Sequence, residues 1–99
     1  MEFKLETIEE GPRKVVLALA GVLSIYTARQ ARDLLEERLD APELVLDLSQ
    51  IQEFDSAGAQ LLLYLRRECA ARGGVVRAEN RTVATERFFT LYNLTEMFA

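Results

Sequence analysis

The sequence predicts a single small α/β domain over residues 1–99, with a four-stranded, mostly parallel sheet and helices mainly on one face. A chain of 99 residues has the length of one domain. Strand-like and helix-like apolar patterns follow one another in the order β-β-α-β-α-β-α. The predicted strands have one bulky apolar face and one smaller, partly charged face, so the helices should cover mainly the first.

The first two strands form a predicted hairpin. Residues 2–8 alternate between apolar and charged side chains, which is typical of a half-buried strand. Residues 10–13, Glu-Gly-Pro-Arg, have turn chemistry. The apolar run over residues 15–20 predicts a buried strand, and Gly21 and Ser24 are expected to mark its exit.

A helix and an inner strand follow. Thr27 and Gln30 have the T-x-x-Q spacing of a capping box, which predicts a helix over residues 28–39. Its predicted inner stripe is Ala28, Ala31, Leu34, Leu35 and Leu39. The apolar run over residues 44–48 predicts an inner parallel strand, and residues 49–55 are expected to form a polar loop.

The second half of the chain predicts two more helices. The expected elements are a helix over residues 57–72, a strand over 75–78, a helix over 83–92 and a further helical turn over 94–98. Gly73 lies where a glycine commonly ends a helix, and Asn80 or Thr82 can cap the third helix. Right-handed crossovers are compatible with the sheet order 1-2-3-4.

The predicted sheet faces differ in chemistry. The helix-covered face should contain Phe3, Leu5, Val15, Leu17, Leu19, Leu44, Leu46, Leu48, Val76 and Ala78. The other face should contain Lys4, Glu6, Val16, Ala18, Val45, Asp47, Val75 and Arg77. We expect one core that includes Leu17, Leu46, Leu61, Leu65 and Phe88.

The composition argues against catalysis and against nucleic-acid binding. The chain has no histidine, which removes the commonest general base and most zinc sites. Cys69 falls on an apolar helix stripe and is expected in the core, and no phosphate-binding loop is present. The net charge is −4, with no basic stripe. We therefore expect no enzyme activity, no cofactor, no metal and no nucleic-acid partner.

The N-terminal sequence and the apolar runs indicate the compartment. The first ten residues have neither a basic nor an apolar region of the kind that a signal peptide needs. The longest apolar run is far too short for a membrane span, and a single cysteine allows no disulfide framework. We expect a cytoplasmic protein, without membrane insertion, that is a monomer or a weak dimer.

The most informative segment is the junction before the second helix. Asp55, Ser56, Ala57 and Gly58 follow Phe54 there. Either Asp55 or Ser56 can be the helix N-cap. A phosphate on Ser56 would meet free backbone N–H groups at the positive end of the helix, and Gly58 would let another molecule approach closely. On helix chemistry alone, Ser56 is more simply an ordinary cap.

Nearby carboxylates have structural interpretations too. Asp47, Glu53 and Asp55 lie close in sequence, and paired acids can serve hydrolysis. In so small a chain, a helix cap at Asp55 and a loop hydrogen bond at Asp47 are the better interpretation.

At these residues the sequence resembles the STAS family of sulfate transporters and anti-sigma factor antagonists. The resemblance lies in LDLS at residues 46–49, in FDSAG at residues 54–58 and in the leucine-rich helix that follows. Residues 19–28 and 83–98 also fit the family, so the match covers roughly residues 3–98. Many members have D-S-S-G, whereas Ala57 here leaves one acceptor hydroxyl.

The resemblance implies a STAS-like fold and a partner-switching regulator. Its unmodified form would bind an anti-sigma factor that is also a GHKL-type serine kinase. Phosphorylation of Ser56 would release that partner, and a phosphatase would reset the switch. The partner would bind at Phe54, Asp55, Ser56, Ala57 and Gly58, with Asp47 in support. The alternative is an unphosphorylated STAS subunit of a chemotaxis complex or a lipid-transport ABC system.

Overall fold

Four strands and three helices form the domain in the computed structural model, which describes residues 2–99. In chain order they are β1 (Phe3–Glu10), β2 (Lys14–Leu23), α1 (Ala28–Glu36), β3 (Glu43–Phe54), α2 (Ser56–Ala71), β4 (Val75–Glu79) and α3 (Val83–Leu91). The sheet order is β1-β2-β3-β4. β1 is antiparallel to β2, and the other neighbours are parallel. The predicted fold class and strand order are confirmed.

The two faces of the sheet differ as predicted. The bulky apolar face is buried against the helices, apart from Leu5, which is half-buried. The opposite face is mixed: Lys4 and Glu6 are exposed, whereas Val45 is buried. On this face Arg77 forms an ion pair with Glu43, with an N–O distance of 2.8 Å.

The predicted polar loop over residues 49–55 is wrong, because β3 continues to Phe54. From Leu48 onward, Leu48, Ile51 and Phe54 are buried, and the residues between them are exposed. The spacing of three arises because the register with β2 shifts twice, as expected for bulged strands. A bulged strand lacks the period of two that identifies strands in sequence.

Gly21 also lies inside a strand and does not mark its exit. β2 runs on to Leu23, and Gly21 pairs with Phe3 at a φ of +87°. A β-carbon at this position would collide with the carbonyl oxygen of Glu2. The positive φ and the close approach of β1 therefore both require glycine here.

The predicted capping box at the start of α1 is wrong. Thr27 occupies the N-cap position but makes no side-chain cap. Its Oγ1 atom donates to the carbonyl oxygen of Val22 at 2.7 Å and accepts from the Ser24 N–H at 3.1 Å. Thr27 is 4% exposed, so its hydroxyl serves the buried end of β2. α1 ends at Glu36, three residues earlier than expected, and Leu39 beyond it is still buried.

The later helices follow the predictions more closely. Gly73 follows α2 with a φ of +83°, as expected of a helix-ending glycine. Thr82, and not Asn80, is the N-cap of α3. In the expected turn over residues 94–98, the Phe98 N–H donates to Leu94. The Phe98 carbonyl accepts from the Ala78 N–H, which closes this turn onto β4.

One hydrophobic cluster forms the core between the sheet and the helices. Leu17, Leu46, Leu61 and Leu65 all belong to it, as predicted. Phe88 was expected there too, but it is only half-buried, and its neighbour Phe89 is fully buried. Within residues 2–99, no helix is long and apolar enough to cross a membrane.

Candidate functional site

The candidate site lies where β2 and β3 end at the same edge of the sheet. Parallel neighbours present their carboxyl ends together, which is the usual position of binding sites in α/β folds. β2 ends at Leu23 and pairs there with Phe54, the last residue of β3. The turn that leads into α1 and the start of α2 are therefore adjacent.

Asp55 holds these two segments together. It is the N-cap of α2, and its Oδ1 atom accepts from the N–H groups of Ala57 at 2.9 Å and Gly58 at 3.2 Å. Its Oδ2 atom accepts from the Ile25 N–H at 3.1 Å. One carboxylate thus serves three backbone donors on two elements. Of the two possible caps, the structure has Asp55.

Ser56 is the first residue of α2 and is exposed. Its hydroxyl has no hydrogen-bond partner among residues 2–99. We expected a phosphate here to find free N–H groups, but Asp55 already binds those of Ala57 and Gly58. A phosphate on this exposed residue would instead follow directly after the carboxylate that caps the helix.

Gly58 is buried, and its lack of a side chain serves the fold. A β-carbon there would lie 2.7 Å from the Leu23 carbonyl oxygen and 2.9 Å from Cε1 of Phe54. The expectation that Gly58 lets a partner approach α2 is therefore wrong in its physical reason. The segment that approaches Gly58 closely is the end of β2 in the same chain.

Phe54 forms the floor of the site and does not belong to an exposed patch. It is only 8% exposed. Its ring packs edge-on against Phe88, with centroids 5.7 Å apart, and lies 6.5 Å from the ring of Phe89. Packing of this kind fixes the end of β3, and therefore the position of Ser56, against α3.

Two apolar residues beside Asp55 were missed as site residues. Ile25 and Tyr26 are 71% and 76% exposed in the turn between β2 and α1. Large apolar residues that belong to neither a strand nor a helix stripe often mark an interaction surface. Their position in the sequence, between the predicted strand exit at Ser24 and the predicted helix start at Thr27, could have indicated an interaction surface.

Asp47 supports β3 locally. Its Oδ1 atom accepts from the Ser49 N–H at 2.9 Å, on the less covered face of the sheet. It pairs with Ala18 and Glu79 across the strands. Within the described part of the chain, no three potential metal ligands cluster.

Cys69 lies in the core, as predicted. Burial raises the pKa of its thiol, which keeps it protonated, and its Sγ atom lies 3.8 Å from the carbonyl oxygen of Ala41. Both features are typical of a structural cysteine.

Fold and site together define a small α/β domain with an exposed hydroxyl at the start of a capped helix. A family model described as "Mlab, STAS domain" matches residues 6–99. The chain belongs to the STAS family. No curated protein matches it significantly.

Solved structures of anti-sigma factor antagonists have similar folds. The unphosphorylated form of SpoIIAA is 22% identical, with a TM-score of 0.79 over 97% of this chain and 84% of that one. The phosphorylated form of SpoIIAA from Bacillus is 22% identical, with a TM-score of 0.72 over 97% and 87%. An anti-sigma factor antagonist from Mycobacterium paratuberculosis is 25% identical, with a TM-score of 0.78 over 96% and 83%.

Proposed function

We propose that this STAS domain is a partner-switching regulator of the anti-sigma-factor-antagonist kind. In its unphosphorylated state it binds an anti-sigma factor that is also a GHKL-type serine kinase. Phosphorylation of Ser56 releases that partner, and a phosphatase restores binding. The observation that carries the proposal is the Ser56 hydroxyl directly after the Asp55 cap, which is exposed and makes no hydrogen bond within residues 2–99.

The proposal is supported by the chemistry around Ser56. A kinase can reach the hydroxyl, and α2 keeps its cap when the hydroxyl is esterified, because Asp55 supplies it. A phosphate adds about −1.5 to −2 charges. The negative charge of Asp55 belongs to the residue directly before it, so docking would have to desolvate two negative groups together. The fold would persist while the affinity falls.

The similar structures give further support. Two of them are the same anti-sigma factor antagonist in unphosphorylated and phosphorylated forms. Each match covers 97% of this chain.

An alternative function keeps the binding surface without the modification. The domain would then be a subunit of a chemotaxis complex or a lipid-transport ABC system. The description of the matching family model names Mlab and does not mention phosphorylation, which is compatible with this alternative. Ser56 would then be only the first residue of α2.

Phosphorylation and binding assays test the two functions. Incubation with the host's GHKL-type serine kinase and ATP should add one phosphate by intact mass, and Ser56→Ala should take up none. Ser49→Ala is the matched control, since Ser49 is also an exposed serine and lies within β3, away from the start of α2. Ser56→Asp should weaken kinase binding by about tenfold or more.

The contrary results are equally clear. If Ser56→Ala accepts as much phosphate as the wild type, Ser56 is not the switch. If no kinase acts and Ser56→Asp binds normally, the alternative function is the correct one.

A further inference from the structure

A groove between α1 and α2 opens beside Ser56. Its floor includes Ala28, Ala57 and Leu61, and the exposed Ile25 lies at one end. Ala57 is the next residue after Ser56. The groove is thus continuous with the proposed switch site.

The rim of this groove is basic, although the whole chain has a net charge of −4. Arg29 is exposed and forms no ion pair among residues 2–99. Arg32 reaches Glu36 only at 3.9 Å, and the Tyr64 hydroxyl donates to the same carboxylate at 2.5 Å. The carboxylate of Glu36 is thus shared between Arg32 and Tyr64.

We propose that this groove binds an acidic amphipathic segment of the protein partner. Apolar side chains of that segment would cover Ile25 and the floor at Leu61, and a carboxylate would pair with Arg29. This inference rests on the proposed function and names the chemistry of the partner. Charge complementarity of this kind sets specificity and association rate at protein interfaces.

The groove also gives a physical reason for release. A phosphate on Ser56 would place its charge next to Ala57, at the edge of the groove. It would repel the carboxylates of the docked segment and lower the favourable potential of Arg29. An acidic partner is therefore one that this modification can eject.

Asp55 keeps the groove in shape. Its hydrogen bond to the Ile25 N–H fixes the turn between β2 and α1 against the start of α2. Ile25 is thereby positioned at the groove although its side chain is exposed. Asp55 is a positioning residue for the groove.

Synthetic peptides test the inference without the kinase. The probes are an amphipathic helix of Leu and Glu and its counterpart with Lys at every Glu. In ¹H–¹⁵N NMR titrations, the Glu peptide should shift the amides of Ala57 and Leu61, and the Lys peptide should not. Arg29→Glu should lower the affinity for the Glu peptide by about tenfold. Arg87→Glu is the matched control, since Arg87 is an exposed helix cation without an ion pair in the described chain.

The inference is overturned if both peptides bind alike, if neither reaches the groove, or if Arg29→Glu binds as the wild type does. Kinase binding separates this failure from that of the proposed function. If the wild type and Arg29→Glu bind the kinase equally well, the proposed role of the groove is overturned and the proposed switch at Ser56 is unaffected. A wild type that does not bind the kinase overturns the proposed function, and the peptide titrations still decide on the groove.

Discussion

The starts of α1 and α2 lie side by side but use their capping residues in opposite ways. Thr27 turns its hydroxyl inward, to the carbonyl of Val22 and the N–H of Ser24. α1 consequently begins without a side-chain cap. Asp55 instead bonds the N–H groups of its own helix and leaves Ser56 in solvent.

The difference shows that a capping sequence does not decide which backbone its oxygen will bind. At Thr27 the end of β2 offers the Val22 carbonyl and the Ser24 N–H, and the hydroxyl binds both. At Asp55 two carboxylate oxygens suffice for both the helix and the Ile25 turn. The hydroxyl at the first start therefore stabilises the fold, whereas the second start is capped without Ser56, whose hydroxyl makes no bond to the part of the chain that the structure describes.

Gly58→Ala should give the largest effect, because Gly58 is where the start of α2 packs against the end of β2. The added β-carbon would meet the Leu23 carbonyl, which is backbone and cannot move aside. Overpacking of this kind costs up to about 3 kcal/mol. Urea unfolding measures the loss.

The control for this change is Gly11→Ala, whose β-carbon would meet only Lys14 at an ordinary distance of 3.4 Å. Equal midpoints for both variants would show that Gly58 is not packed as described. Gly58→Arg should disrupt the fold for the same reason.

Thr27→Ala should come next, at about 2 kcal/mol, because it leaves a buried N–H at Ser24 without its acceptor. Thr27→Ser keeps the hydroxyl and should retain most of the stability. Thermal unfolding followed by circular dichroism separates the two. If serine and alanine lower the melting temperature equally, the hydroxyl is not what Thr27 contributes.

The sequence predicted those parts of the fold that follow simple periods. The two sheet faces, the strand order and the glycine after α2 all came from local pattern. The end of β3 did not, since its bulges give buried residues a spacing of three. The role of Gly58 was also out of reach, because it depends on Leu23, far away in sequence.

The candidate site was predictable only in part. The segment around Ser56 was identified from its acid, serine and glycine, and by family resemblance. The groove was not, because Arg29 and Ala57 come together only when the parallel strands align α1 with α2. The pattern in one segment of the sequence carries no information about residues of a distant segment that lie beside it in the fold.

Asp55→Ala should cost about 1 kcal/mol through loss of the α2 cap. It should also free the Ile25 N–H, so that hydrogen exchange at this amide becomes faster. Asp55→Asn separates the two roles of Asp55, since the single carbonyl oxygen of asparagine can still cap α2 but cannot serve both segments. We expect fast exchange at Ile25 in both variants and a clear loss of stability only with alanine. Slow exchange in both would mean that Asp55 does not hold the turn.

Ser56→Ala should have the smallest effect on stability. Because Asp55 caps α2 and the Ser56 hydroxyl bonds to nothing in the described chain, the free energy of unfolding should change by less than about 0.5 kcal/mol. Exchange at Ile25 should stay slow, in contrast to Asp55→Ala. Urea unfolding and hydrogen exchange on the same samples measure both. A loss as large as that of Asp55→Ala would make Ser56 a second cap and remove the main reason to regard its hydroxyl as available to a kinase.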